Sequence, residues 1–250
     1  MDKASPTVQL FLPVQTRLEK HYDSYISVSN QSLIECLKKH IQQKDETLIM
    51  LVGPESVGKT HLLSSSVHFY ETCFNRDPAC AYFSLSELSG NELSSAYYDE
   101  LLNYFESFSF LALDDLDNWL ATLTESQRYD AELLIFNLFN HYKMNGKLLM
   151  IASKCPPSRL NIDLNDLKSR LASGLLLTVS ELNDEGKVEL IKSLARLKGF
   201  LLDDDVAAFI LKRSGRDVLS LLNVIEDLDK ATLMEQRRLT VPFVKKIFNW

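Results

Sequence analysis

The sequence predicts an α/β fold: a parallel five-stranded sheet flanked by helices, followed by a small C-terminal helical lid. Three observations point there. Five short apolar runs alternate with helical patterns, the arrangement of a sheet covered on both faces. A glycine-bearing loop joins the first run directly to a helix. After Glu181 the strands stop and only helical patterns continue.

Residues 1–20 contain Pro6 and Pro13 and read as an extended N-terminal segment. Residues 32–43 have helical spacing, with Leu33, Ile34, Leu37 and Ile41 on one face. The run 47–53 is short and continuously apolar, as a strand buried on both faces requires. A helix follows over 59–74, a strand over 79–84 and a helix over 92–105. Residues 108–113 form the third strand and end in Asp114 and Asp115. A long helix over 125–144 stops at Asn145 and Gly146, and the fourth strand covers 147–152. A short helix over 164–171 leads to the fifth strand at 175–179.

Four helices then follow, over 184–198, 203–213, 217–235 and 241–248, with Gly199 and Gly215 at breaks between them. In the third of these, Val218, Leu221, Leu222, Ile225 and Leu228 share a face and read as lid core. Asp203, Asp204 and Asp205 suit a helix N-cap and first turn, where the dipole favours negative charge. The expected divisions are 1–20 as an N-terminal segment, 21–180 as an α/β base and 181–250 as the lid.

Hydrophobic residues make up 46% of the 250, enough to bury a sizeable core. The net charge is −7, and residues 181–250 carry 12 basic and 12 acidic side chains. Neither part is basic enough to grip a phosphate backbone by charge alone, so no dedicated DNA-binding domain is expected. Cys36, Cys73, Cys80 and Cys155 form no CxxC pair, and the histidines show no metal-ligand spacing. No apolar run approaches the length of a membrane helix, and the start lacks the order of an export signal. The chain is read as cytoplasmic.

Gly53, Pro54, Glu55, Ser56, Val57, Gly58, Lys59 and Thr60 spell GxxxxGK[ST], with His61 behind them. The two glycines let backbone N–H groups approach phosphate oxygens. Lys59 places its ammonium against the β- and γ-phosphates, and Thr60 offers a hydroxyl to Mg²⁺. The helix that follows points its positive end at the anion. A tight strand–helix turn with a surface lysine is the competing reading. The buried run before the motif and the helix after it favour the nucleotide site, with ADP or ATP as ligand. Asp114 and Asp115 complete it. The first holds Mg²⁺, together with Thr60, and the second orients or deprotonates the attacking water. The alternative is a pair of solvated aspartates opening a loop.

Beyond these two motifs the chain resembles the DnaA branch of the AAA+ P-loop NTPases, closest to its regulatory inactivators. Leu113 to Asp117 is similar to the acidic box of that branch. Asp166 to Leu171 resembles its arginine-finger segment, and Arg237 to Phe248 its regulators' C-terminal end. The resemblance implies that Arg170 enters the ATP site of DnaA and neutralises charge developing on the transferred phosphoryl group. A surface salt-bridge arginine is the plainer reading. Val8, Gln9, Leu10, Phe11, Leu12 and Pro13 resemble the peptide by which such regulators bind the sliding clamp of DNA polymerase. An extended segment suits groove binding, with Gln9 at the rim and apolar side chains in pockets. A loose terminus folded back on the base is the alternative. DnaA initiators continue into a helix-turn-helix module, whereas this chain stops at Trp250 directly after the lid. AAA+ membership also leaves self-association open.

The second acidic residue is usually glutamate in AAA+ proteins, although the DnaA branch commonly has Asp-Asp. Two features depart from the family. After strand four, Ser153 could face the γ-phosphate, but Lys154 stands where aspartate is common. The lid's sensor arginine falls in register on Leu219; either Arg216, one helical turn earlier, substitutes for it or lid sensing is altered. These departures weaken intrinsic hydrolysis more than binding. The leading expectation is a regulator of replication initiation that binds adenine nucleotide and the clamp and stimulates hydrolysis of DnaA-bound ATP. The alternatives are an independent AAA+ ATPase, like a helicase loader, and a non-catalytic adaptor tethered to the clamp.

Overall fold

The computed structural model describes residues 21–25, 30–74, 79–88, 95–235 and 239–250. The candidate clamp-binding residues Gln9 to Pro13, and with them the whole segment 1–20, lie outside the described residues.

The α/β base begins with a 3₁₀ turn at Tyr22–Ser24 and runs α1 (Gln31–Gln43), β1 (Leu48–Val52), α2 (Lys59–Cys73) and β2 (Cys80–Ser84). It continues through α3 (Ser95–Glu106), β3 (Phe110–Asp114), α4 (Leu116–Thr122), α5 (Glu125–Met144) and β4 (Leu148–Ser153). It closes with α6 (Asn165–Ala172) and β5 (Leu175–Thr178). The strands form one parallel sheet in the order β2-β3-β4-β1-β5.

Alternation along the strands divides the core. Leu48, Met50, Leu111, Leu113, Leu149 and Ile151 face a cluster that includes side chains of α3, α4, α5 and α6. Ile49, Leu51, Phe110, Ala112, Leu148, Met150 and Ala152 face α1 and α2. Both faces are buried, which is why these strands read as unbroken apolar runs. The two edge strands depart from this: Cys80, Ala81 and Tyr82 of β2 are only half-buried, and in β5 Leu175 and Leu177 are half-buried while Leu176 is 46% exposed.

The lid comprises α7 (Asp184–Leu197), α8 (Asp204–Arg213), α9 (Val218–Glu235) and α10 (Val241–Phe248). Ile191, Val206, Ile210, Leu221, Ile225, Leu228 and Val244 form its own buried core. Of the apolar face expected on α9, Leu221, Ile225 and Leu228 are lid interior, Val218 and Leu222 are only half-buried, and Leu219 stands exposed. Asp203 occupies the N-cap position of α8, and Asp204 in the first turn pairs with Lys192 at 2.6 Å.

Helix α4 was not expected from sequence. It is seven residues long, and Asp117 and Asn118 interrupt its apolar pattern. Tertiary packing makes it a helix: Leu116, Trp119 and Leu120 are buried in the sheet's outer cluster beside Tyr98. Because α4 starts at the acidic pair, Trp119 anchors that end of β3. Trp119→Ala should cost about 3–5 kcal/mol in denaturant unfolding by opening a core cavity. Leu219→Ala on the exposed lid surface should cost under about 0.5 kcal/mol.

Candidate functional site

The site lies at the C-terminal ends of β1, β3 and β4. Between β1 and α2 the chain turns through Gly53 to Gly58. Two backbone demands explain its glycines. A Cβ on Gly53 would come within 2.6 Å of the Val179 carbonyl, so this residue is small because β5 ends against it. Gly58 has φ +93°, and a Cβ there would meet the Tyr25 ring at 2.7 Å. Ser56 also has positive φ, at 60°.

Lys59 is buried and folds over its own loop, its Nζ donating to the carbonyls of Gly53 at 2.7 Å and Pro54 at 2.6 Å. Burial holds its ammonium below the ordinary lysine pKa, opposed by Asp114, Asp117 and Asp115. Thr60 Oγ1 donates to Asp114 Oδ2 at 2.6 Å. Asp114 is buried, and its Oδ1 accepts the Asp115 N–H at 2.9 Å. Asp115 has φ 59° and accepts from Asn118 Nδ2 at 3.3 Å. Burial, then the neighbouring Asp114 charge, raises the Asp115 carboxyl above its ordinary range.

Sequence reasoning missed three contributors. Tyr82 on β2 donates its phenol to Asp114 Oδ2 at 3.1 Å, and burial and that carboxylate push the phenol's own pKa up. Tyr25 donates to the Val57 carbonyl at 3.1 Å, so a residue before α1 holds the loop from behind. Asn30 donates to Tyr25 Oη at 3.2 Å and forms two bonds with Ser180, Nδ2 to its carbonyl at 3.0 Å and its N–H to Oδ1 at 2.9 Å. Asn30 carries an N-cap signal for α1, but its amide spans 150 residues instead, which no local pattern reveals.

The remaining predicted residues are placed as follows. His61 Nε2 lies 3.1 Å from the His21 carbonyl and 3.2 Å from Ser24 Oγ, facing the N-terminal turn. Ser153 is fully buried and donates to the Cys155 carbonyl at 2.7 Å. Lys154 pairs with Glu55 of the loop, and its N–H is accepted by Asp117 at 2.9 Å. Arg216 is engaged by Asp184 at 2.9 Å, in the lid. Arg170 is exposed on the last turn of α6, its guanidinium 5.7 Å from the Phe139 ring centroid. The structure thus brings Gly53 to Thr60, Asp114 and Asp115 together and leaves Arg170 and Arg216 elsewhere.

The donor chemistry fits a polyphosphate with a hard cation. Thr60 and Asp114 offer oxygen at one point, the class of ligand Mg²⁺ takes. The loop, the N-terminus of α2 and the ammonium of Lys59, once released from its loop carbonyls, are the groups that would hold an anion beside it. No cluster of His, Cys, Asp and Glu of metal-holding kind occurs among the described residues, so a cation here would need phosphate and water to fill its shell.

The raised Asp115 carboxyl has a consequence for stability. The folded chain retains that proton to higher pH than the unfolded chain, so stability falls as pH rises from the ordinary carboxylate range through the folded value. In nucleotide-free protein, Asp115→Asn should therefore raise the unfolding midpoint near neutral pH. The gain over the parent should shrink as both are taken to acid, measured by denaturant titration across pH.

Comparison with known proteins agrees with this geometry. Residues 18–178 match the family model of the bacterial DnaA ATPase domain, and residues 184–248 match that of the Hda lid domain. An uncharacterised protein of Haemophilus influenzae is 34% identical over 242 residues, covering 96% of this chain and 98% of the relative. Domain III of the Thermotoga maritima replication initiation protein DnaA superposes with a TM-score of 0.79 at 16% identity, over 93% of this chain and 96% of that one. AMPPCP-bound DnaA from Aquifex aeolicus gives 0.68 at 22% identity, over 86% of this chain and 66% of its own. The RuvB branch migration motor of Thermotoga maritima gives 0.66 at 17% identity, over 92% and 71%. The structural likenesses establish the AAA+ fold, and the two family matches, which between them span base and lid, go further: the chain belongs to the Hda/DnaA-related family of AAA+ proteins.

Proposed function

We propose that this DnaA-related replication regulator binds adenine nucleotide and acts on the ATP of a DnaA partner. The observation that carries the reading is the contrast between the exposed guanidinium of Arg170 and the internally braced loop of the chain's own site. Arg170 is exposed, and among the described residues its guanidinium rests on an aromatic ring and forms no ion pair. Meanwhile the chain's own loop is braced by Lys59, Tyr25 and the Glu55–Lys154 pair. A guanidinium held out to solvent suits a group that completes another subunit's phosphoryl-transfer site.

Within the chain's own site, Gly53 to Thr60 hold the polyphosphate of ADP or ATP. Thr60 and Asp114 hold the Mg²⁺, which neutralises phosphate charge when bound. Lys59 leaves its loop carbonyls to meet the phosphates, and Asp115 orients water. AMPPCP in the Aquifex aeolicus DnaA supports an adenine nucleotide as the ligand. Ser153 is turned to Cys155, and Lys154 to Glu55, so the sensing position after β4 is occupied by internal contacts. Hydrolysis by the chain alone is accordingly slow. Residues 9–13 tether the regulator to the sliding clamp.

A second reading, an independent ATPase of helicase-loader type, draws on the 2.6 Å hydrogen bond of Thr60 to Asp114, which puts together two oxygen donors of the class magnesium takes. Basal turnover without DnaA or clamp separates the two. Arg170→Ala should reduce stimulation of DnaA-bound ATP hydrolysis by about a thousand-fold or to the partner's basal rate. Clamp binding and the chain's own nucleotide affinity should be unchanged. Stimulation that survives the substitution contradicts the proposed role.

A further inference from the structure

Three charged side chains are buried among the described residues: Lys59, Asp114 and Glu132. The first two belong to the nucleotide site. Glu132 does not, and a carboxylate only 1% exposed in the middle of α5 is costly unless its oxygens are fully used. They are used at one place. Oε1 and Oε2 accept the Asp163 N–H at 3.0 and 3.1 Å, and Oε2 accepts the Leu164 N–H at 2.8 Å.

Asp163 and Leu164 are the two residues that lead into α6. Helix α6 is eight residues long, and Arg170 is on its last turn. The same helix α5 meets α6 at its other end, where Phe139 lies beneath the Arg170 guanidinium. Glu132 and Phe139 are seven positions apart, two turns along one face of α5. Between them, Leu167 and Leu171 of α6 are buried in the core. So α5 grips α6 twice, by charge-assisted hydrogen bonds at the start and by a ring at the arginine. An isolated helix this short is marginal in water, and its direction must be set from outside. Charge-assisted bonds to backbone N–H groups are the strong and directional kind.

We propose that Glu132 is the positioning residue for Arg170: by fixing the two N–H groups that open α6, it sets the angle at which the guanidinium leaves the surface. This rests on the reading that Arg170 acts on a partner's nucleotide. Reach matters in that role, because misplacing a catalytic group by about 1 Å can cost on the order of a hundred-fold in rate. Glu132 itself touches neither partner nor nucleotide.

The test uses the full chain with ATP-loaded DnaA and clamp, in the parent, Glu132→Ala, Glu132→Gln, Arg170→Ala and the double variant Glu132→Ala/Arg170→Ala. The readouts are the maximal rate of DnaA-bound ATP hydrolysis, the half-saturating chain concentration, the chain's own ADP affinity, and amide exchange over 163–172. Glu132→Ala should lower the maximal rate at least about ten-fold. Half-saturation and ADP affinity should change much less. Exchange should quicken over 163–172 while the β-strands stay protected. Glu132→Gln keeps one acceptor oxygen and should recover part of the rate. The double variant should be no slower than Arg170→Ala alone. A parent maximal rate in folded Glu132→Ala overturns the proposal. If that variant does not fold, Glu132→Gln decides: a lowered maximal rate with parent ADP affinity supports it, and a parent rate overturns it. If Arg170→Ala alone stimulates like the parent, the finger reading fails instead, so the two failures are distinct.

Discussion

The contact between Thr60 and Asp114 organises the molecule. Strand β3 is separated from β1 by β4, yet the two residues meet because α2 leaves β1 and crosses the sheet to lie over β3. The first turn of the crossover helix therefore delivers a hydroxyl to the carboxylate at the end of β3, at 2.6 Å. The sheet order, the parallel register and the burial of both sheet faces converge on this one spot. Ligand crevices of open parallel sheets lie outside the carboxyl ends of the strands, and that is where Thr60 and Asp114 meet.

Around that contact the loop is braced from several sides. Tyr25 supports Val57, Asn30 ties Tyr25 to Ser180, and the Val179 carbonyl packs against Gly53. The braces come from the chain just before α1 and from the segment just after β5. The former continues toward residues 1–20 and the latter toward the lid. Charge is concentrated in the same place: three carboxylates, Asp114, Asp117 and Asp115, oppose the pKa-lowering effect of burial on one ammonium, while burial and the neighbouring Asp114 charge raise the pKa of Asp115.

The sheet was legible because burial on both faces leaves strands with no polar alternation, and β1, β3 and β4 are of that kind. The lid was legible from helical spacing in α9 and from the breaks at Gly199 and Gly215. The glycine-bearing loop and the acidic pair stood out by fixed residue types at fixed spacing, and the fold brings them together at the ends of β1 and β3. Helix α4 was not legible, since seven residues with two polar interruptions carry too little periodicity. Tyr82, Asn30 and Glu132 were missed for another reason. Their partners lie 32, 150 and 31 or 32 residues away, and only the folded chain brings them together. Gly53 was recognised as necessary, but its smallness answers to the Val179 carbonyl as much as to phosphate.

Nucleotide affinity tests the central claim most directly. Calorimetric titration of the purified chain with ADP and ATP, with and without magnesium, should show one adenine-nucleotide site per chain. That binding should be tighter with magnesium and lost on Lys59→Ala in a variant that still unfolds cooperatively. Absence of adenine-nucleotide affinity in the parent, or affinity indifferent to the loss of the lysine, would contradict the account.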